Sequence, residues 1–264
     1  MSFAGATSVV PGKDGSWVGR IHPGWDIFGI ANGGYLMAIA ARAMAQRAAR
    51  RNPTSISAHF MNPGEPGPVE IVVAPLKTGG TFSTLTAVMR GEKPLMAATA
   101  SFTEPNRTVP KATIIHSSAP DLPPPSECVR AVPSSTGPLP PPFMDKVRVL
   151  IHPDDAAALR GERTGIARIR GWFGLADDEP IDAFATILAA DAFPPAVFNT
   201  NLPLKWTPTV EMTTYVRDPA PRTLLRCQFR TRFVTGGYLE EDGEMWDEEG
   251  NLVAQSRQLA LVPL

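Results

Sequence analysis

Asp191 is the one charged residue between Asp182 and Lys205, in a segment dominated by Ala, Ile, Leu, Phe, Pro and Val. A carboxylate taken out of water is costly unless hydrogen bonds meet it, so a polar partner has to face it. Gln258 is a natural candidate. Strand alternation through NLVAQSRQLALV places its amide on the face that carries Leu252, Ala254, Ala260 and Val262, an otherwise apolar row. A carboxyl and an amide standing where apolar side chains are expected can hold a water molecule, orient it and take its proton. The competing account is structural: Asp191 ends a helix beside Pro194 and Pro195, and Gln258 meets solvent on an edge strand.

Other chemistries are poorly supplied. The chain has no GxSxG, and its four histidines, His22, His59, His116 and His152, have no serine or cysteine in a recognisable nucleophile setting. His59, in SISAHFM, reads as an ordinary strand residue. No P-loop, GxGxxG or metal-spaced His/Asp cluster occurs, so neither cofactor nor metal is expected. Cys128 and Cys227 have no CxxC spacing and read as plain thiols in a reducing compartment. With 25 basic and 26 acidic residues and a net charge of −1, the chain shows no electrostatic footprint for nucleic acid. Its first residues lack a basic stretch followed by an apolar one, and no run is long enough to cross a bilayer, so a cytoplasmic protein is expected.

The elements that must position Asp191 and Gln258 follow from periodicity. Tyr35–Ala45 is apolar or alanine at nearly every position, with Arg42 the only charge. A helix there is greasy around its whole circumference, too short for a membrane span, and belongs inside a sheet that its small side chains let approach closely. Basic residues Arg47, Arg50 and Arg51 suit its C-terminal end. A short strand is expected at 16–22, and turn residues then mark four strands at 54–61, 69–77, 82–90 and 94–103. In the second half come a strand at 167–175, an apolar helix over PIDAFATILAADAF, and strands at 209–217, 223–234, 238–247 and 251–262. Along 223–234, Leu225, Cys227, Phe229, Thr231 and Phe233 alternate with Arg226, Gln228, Arg230 and Arg232, a half-buried strand with a wet arginine face.

The order strand, apolar helix, four strands therefore occurs twice. Thr78-Gly79-Gly80 and Thr235-Gly236-Gly237 occupy the same turn, 157 positions apart. Between the copies, residues 105–142 hold eleven of the 28 prolines, a density that excludes regular ladders. The expected organisation is a first unit at 1–104, a linker at 105–145 and a second unit at 146–264. The class is α+β, each unit a central helix wrapped by a curved antiparallel sheet.

This pattern resembles the double-hotdog acyl-CoA thioesterases of the TesB-like (thioesterase II) family. The resemblance covers almost the whole chain outside the linker, and its best local matches are NGGYL, HFMNPGEPG, MAATASF, DAFPPAV, TPTVEMTTYVRDP and NLVAQSRQ. The resemblance implies a tandem hotdog fold, an acyl-CoA substrate and assembly into a homo-oligomer. It assigns activity to Asp191, Thr209 and Gln258, with Thr207, Thr213 and Thr214 close enough to exchange for Thr209. Asp191 would then deprotonate a water fixed by Gln258 and Thr209. Gly33 and Gly34, at the mouth of the first helix, would bring backbone N–H donors to the developing oxyanion. Two further readings stay open: enoyl-CoA hydration, for which Asp191 lacks a neighbouring histidine, and a non-catalytic acyl-CoA or fatty-acyl binding protein.

Overall fold

A computed structural model describes residues 1–104, 116–134, 140–203 and 206–263. The first unit contains β1 (Trp17–Ile21), α1 (Gly33–Arg47), β2 (Asn52–Phe60), β3 (Gly67–Thr78), β4 (Ser83–Arg90) and β5 (Pro94–Thr103). The second contains β6 (Val147–Ile151), β7 (Arg168–Leu175), α2 (Ala183–Ala189), β8 (Thr209–Val216), β9 (Leu225–Arg230), β10 (Tyr238–Trp246) and β11 (Leu252–Leu261).

Among the described residues these strands form one antiparallel sheet, and its order displays the duplication. The first unit runs β1-β3-β4-β5-β2 and the second β7-β9-β10-β11-β8, with β2 hydrogen-bonded to β8 at the join. Each unit thus threads its strands in the same order, and the two meet along equivalent edges. Strand β6 adds to the outer edge of β7, and Val129–Arg130 adds to β6.

Alanine explains how the sheet closes on α1. Ala38, Ala40, Ala41 and Ala43 are essentially inaccessible, and with no side chain beyond Cβ they let strand backbone come close. Arg42 escapes by reaching across to α2, where its guanidinium meets Asp182 at 3.2 Å. Asp182 caps α2 by accepting the amide hydrogens of Phe184 and Ala185.

Part of the proline-rich stretch is tied down. Trp172 Nε1 donates to the Pro123 carbonyl at 2.9 Å, and Phe143 is buried edge-on against Trp25 of the first unit. Residues 105–115 and 135–139 of the expected linker lie outside the described residues.

Two expectations need correction. The helix expected over 180–193 spans only Ala183–Ala189, so Asp191 stands just past its C-terminal end. Asp182 caps the start, and Pro194 and Pro195 bar helical continuation from beyond. The strand expected at 223–234 ends at Arg230, and Phe233 is 64% exposed instead of inward. There the Glu240 carboxylate takes the amide hydrogens of Arg232 and Phe233 that a ladder would need.

Candidate active site

The chain reverses after α2 directly against the N-terminus of α1, and the Asp191 carboxyl seats itself there. Gly34 N–H donates to Asp191 Oδ2 at 2.9 Å, and Asn32 Nδ2 donates to the same oxygen at 2.9 Å and to the Asp191 backbone carbonyl at 2.7 Å. Asn32 is also the cap of α1, its Oδ1 accepting Tyr35 N–H at 2.9 Å, which fixes the amide with nitrogen toward Asp191. Burial pushes the Asp191 carboxyl up to about 6, while the Gly34 and Gly33 amides and Asn32 pull it back. The positive end of α1 favours the anion as well.

This contact explains the glycine pair. A Cβ on Gly34 would lie 3.0 Å from Asp191 Cβ and 3.1 Å from the Ile187 and Leu188 carbonyl oxygens. One on Gly33 would lie 2.9 Å from the Phe60 ring and 3.0 Å from Asp191 Oδ2. The glycines were expected to aim their amides at a substrate oxyanion; the Gly34 N–H is instead given to Asp191.

The facing wall comes from β8, β10 and β11. Thr209 Oγ1 donates to Gln258 Oε1 at 3.2 Å, and Gln258 Nε2 donates to Glu241 Oε1 at 3.1 Å. Ala196 N–H donates to Glu241 Oε2 at 2.6 Å. Burial pushes the Glu241 carboxyl up to about 7, and the charge of Asp191 adds to the shift. Between the walls lies a cavity of about 380 Å³. Asn32, Asp191, Thr209, Glu241 and Gln258 line it together with apolar Leu36, Phe60, Phe193, Trp206 and Phe229.

The structure therefore gathers Asp191, Thr209, Gln258 and Gly33 around one cavity, with Gly34 behind Asp191. β11 is interior, flanked by β8 and β10, so Gln258 is not at an edge. Among the threonines, Thr207 and Thr209 line the cavity; Thr213 bonds Ser57 and Glu211, and Thr214 is fully buried elsewhere. Among the described residues no hydrogen bond joins Asp191 to Gln258, because the amide is engaged by Thr209 and Glu241. Nor is Asp191 the single acid of the site, since Glu241 lines it too and is the more deeply buried of the two. Glu241 escaped notice within the acidic run EEDGE, although its parity with Leu239 and Met245 marks an inward position. Asn32 was likewise missed as a site residue; an Asn directly before Gly-Gly and an apolar helix is the cap signal that points to it.

Comparison with known proteins agrees with this architecture. Residues 21–103 match the family model of the acyl-CoA thioesterase N-terminal domain, and residues 121–262 that of the acyl-CoA thioesterase C-terminal domain. The chain is similar to the crystal structure of a candidate thioesterase II from Thermobifida fusca YX, with TM-score 0.88 and 30% identity over 99% of this chain and 97% of that one. A hot dog fold protein of unknown function from Alicyclobacillus acidocaldarius gives TM-score 0.85 and 24% identity, covering 99% and 98% of the two chains. An uncharacterised protein of Mycobacterium bovis is 24% identical over 275 residues, 93% of this chain and 90% of its own length. With both halves matched in order and the helix-wrapping sheet present twice, the chain belongs to the acyl-CoA thioesterase family, as a thioester hydrolase of TesB-like, tandem-hotdog type.

Proposed function

We propose that this chain hydrolyses a fatty acyl-CoA to the free acid and CoA through a water held by Asp191, Thr209 and Gln258. The observation that carries the reading is the half-buried Asp191 carboxyl in the wall of a largely apolar cavity that also exposes the Thr209–Gln258 pair. The apolar lining suits an acyl chain. The carboxylate takes a proton from the water as its oxygen adds to the thioester carbonyl. The tetrahedral intermediate then collapses, the C–S bond breaks, and the CoA sulfur leaves with the proton that Asp191 had taken, which restores the carboxylate. Holding the water at attack distance contributes through orientation, and the dry walls strengthen each electrostatic contact.

The test is to incubate the protein with acyl-CoAs of graded chain length, detect released thiol, and repeat with Asp191→Asn. Turnover by the wild type and its loss in the variant, with acyl-CoA binding kept, is the expected result. Binding without thiol release by the wild type would refute the reading.

A further inference from the structure

We propose that Glu241 is a positioning residue of this hydrolytic site: by accepting the Gln258 amide hydrogen, its carboxylate fixes the direction in which the Thr209–Gln258 chain donates. The inference rests on the reading above and adds to it a residue outside the Asp191, Thr209 and Gln258 set.

Glu241 is 5% exposed, on an inward face whose other side chains include Leu239 and Met245. Its neighbours on β10 all meet arginines: Glu240 faces Arg232, Asp242 faces Arg232 and Arg257, and Glu244 faces Arg230. Among the described residues no cation faces Glu241. The groups turned toward it are the Asp191 carboxyl from the end of α2, the Ala196 amide, the Gln258 amide from β11, and Glu240 beside it on its own strand. A buried acid held by two neutral donors and facing another acid is a poor stabilising device. It is a good device for setting polarity.

A glutamine amide can be turned either way at little cost unless its partners distinguish oxygen from nitrogen. An ionised carboxylate only accepts. It therefore demands the Nε2 end of Gln258 and turns the carbonyl oxygen to Thr209, whose hydroxyl must then donate. Thr209 Oγ1 is left with lone pairs facing the cavity. A water there gives one hydrogen to Thr209 and the other to Asp191, so its own lone pair is free to meet the thioester carbon. With Glu241 neutral, the amide can reverse, Thr209 can offer its hydrogen to the water, and the alignment is lost. Full turnover then needs both acids ionised, so acidification should lower activity as two charges are lost.

The test is steady-state thiol release by wild type, Glu241→Gln, Gln258→Ala and the double variant across pH, alongside thermal melts. Glu241→Gln should lower kcat about tenfold with KM nearly unchanged, and its acid limb should fall from two-proton to one-proton dependence. In the Gln258→Ala background the same substitution should cost less than about twofold, because its route of action is gone. The melting temperature should hold or rise, since a buried charge has been removed. A Glu241→Gln enzyme with wild-type kcat and pH profile overturns the proposal, as does an undiminished loss in the Gln258→Ala background or a loss that tracks a lowered melting temperature. If Asp191→Asn is inactive while Glu241→Gln is fully active, only this proposal falls. If the wild type releases no thiol from any acyl-CoA, both fall.

Discussion

The two units share a strand order and part company at the helix. In the first, α1 runs for 15 residues and the chain re-enters the sheet at Asn52. In the second, α2 stops after 7 residues, and residues 190–203 and 206–208 stand between it and β8. That detour supplies Asp191, the Ala196 amide, Trp206 and Thr207. The strands diverge in the same sense. Midway along β4 and β5 the inward cross-strand pairs are apolar, Leu85 with Ala100 and Ala87 with Ala98, whereas between β10 and β11 Glu241 faces Gln258. What the copies share builds the scaffold, and the site stands where they differ. The first unit still contributes the helix N-terminus against which the Asp191 carboxyl is held.

The strongest way to break that contrast is to make the second unit resemble the first. Replacing Glu241 by Leu and Gln258 by Ala installs the first unit's pair. Hydrolysis should fall about 10³-fold, while circular dichroism reports an unchanged fold. Retention of most of the activity would show that the divergent pair is incidental.

Next in size is an opposition between activity and stability in their response to pH. Folding raises the Asp191 carboxyl from 3.8 to about 6 and the Glu241 carboxyl from 4.5 to about 7. The folded state thus binds more protons than the unfolded one between about pH 4 and 7, and stability falls as pH rises through that window. Each acid contributes on the order of 3 kcal/mol. Activity should move the other way, rising as both ionise. Melts of wild type against the Asp191→Asn, Glu241→Gln double variant isolate the effect, since other titrating groups cancel in the difference. The variant's advantage should grow from pH 4.5 to 8; a constant difference would count against the burial of these acids.

Gly34→Ala comes third. Its Cβ meets Asp191 and two α2 carbonyl oxygens at 3.0–3.1 Å, contacts that backbone cannot easily give, so a loss of about 2 kcal/mol is expected together with reduced turnover. Gly80→Ala, with nothing within 4 Å, is the control for replacing a glycine.

These contrasts also show why the sequence was readable in some places and opaque in others. The strands announced themselves through alternation and turn residues, and the TGG repeat exposed the duplication, because both signals are local. Asp191 and Gln258 were visible as polar side chains in apolar rows. Glu241 broke the same rule but lay among six other acids in YLEEDGEMWDEEG, where charge looks like solvent exposure until parity is counted. The use of the Gly34 amide could not be foreseen, since its acceptor lies 157 residues away and arrives only because α2 stops early.

The smallest effect separates two threonines that share a strand. Thr209 lines the cavity and donates to Gln258. Thr213 sits where β8 pairs with β2, its hydroxyl 2.7 Å from Ser57 of the first unit and 2.6 Å from Glu211. Replacing a half-buried hydroxyl by a methyl at this seam should cost about 1 kcal/mol of stability, because Ser57 and Glu211 lose a partner. Thr213→Val should therefore lower the melting temperature slightly and leave kcat and KM near wild type. Thr209→Val should do the reverse, lowering kcat about tenfold with little change in melting. On that outcome the seam between the units is a structural join, and the chemistry belongs to the cavity beside it. An exchange of these two phenotypes would move the water site to the seam and leave Asp191 without its partner across the cavity.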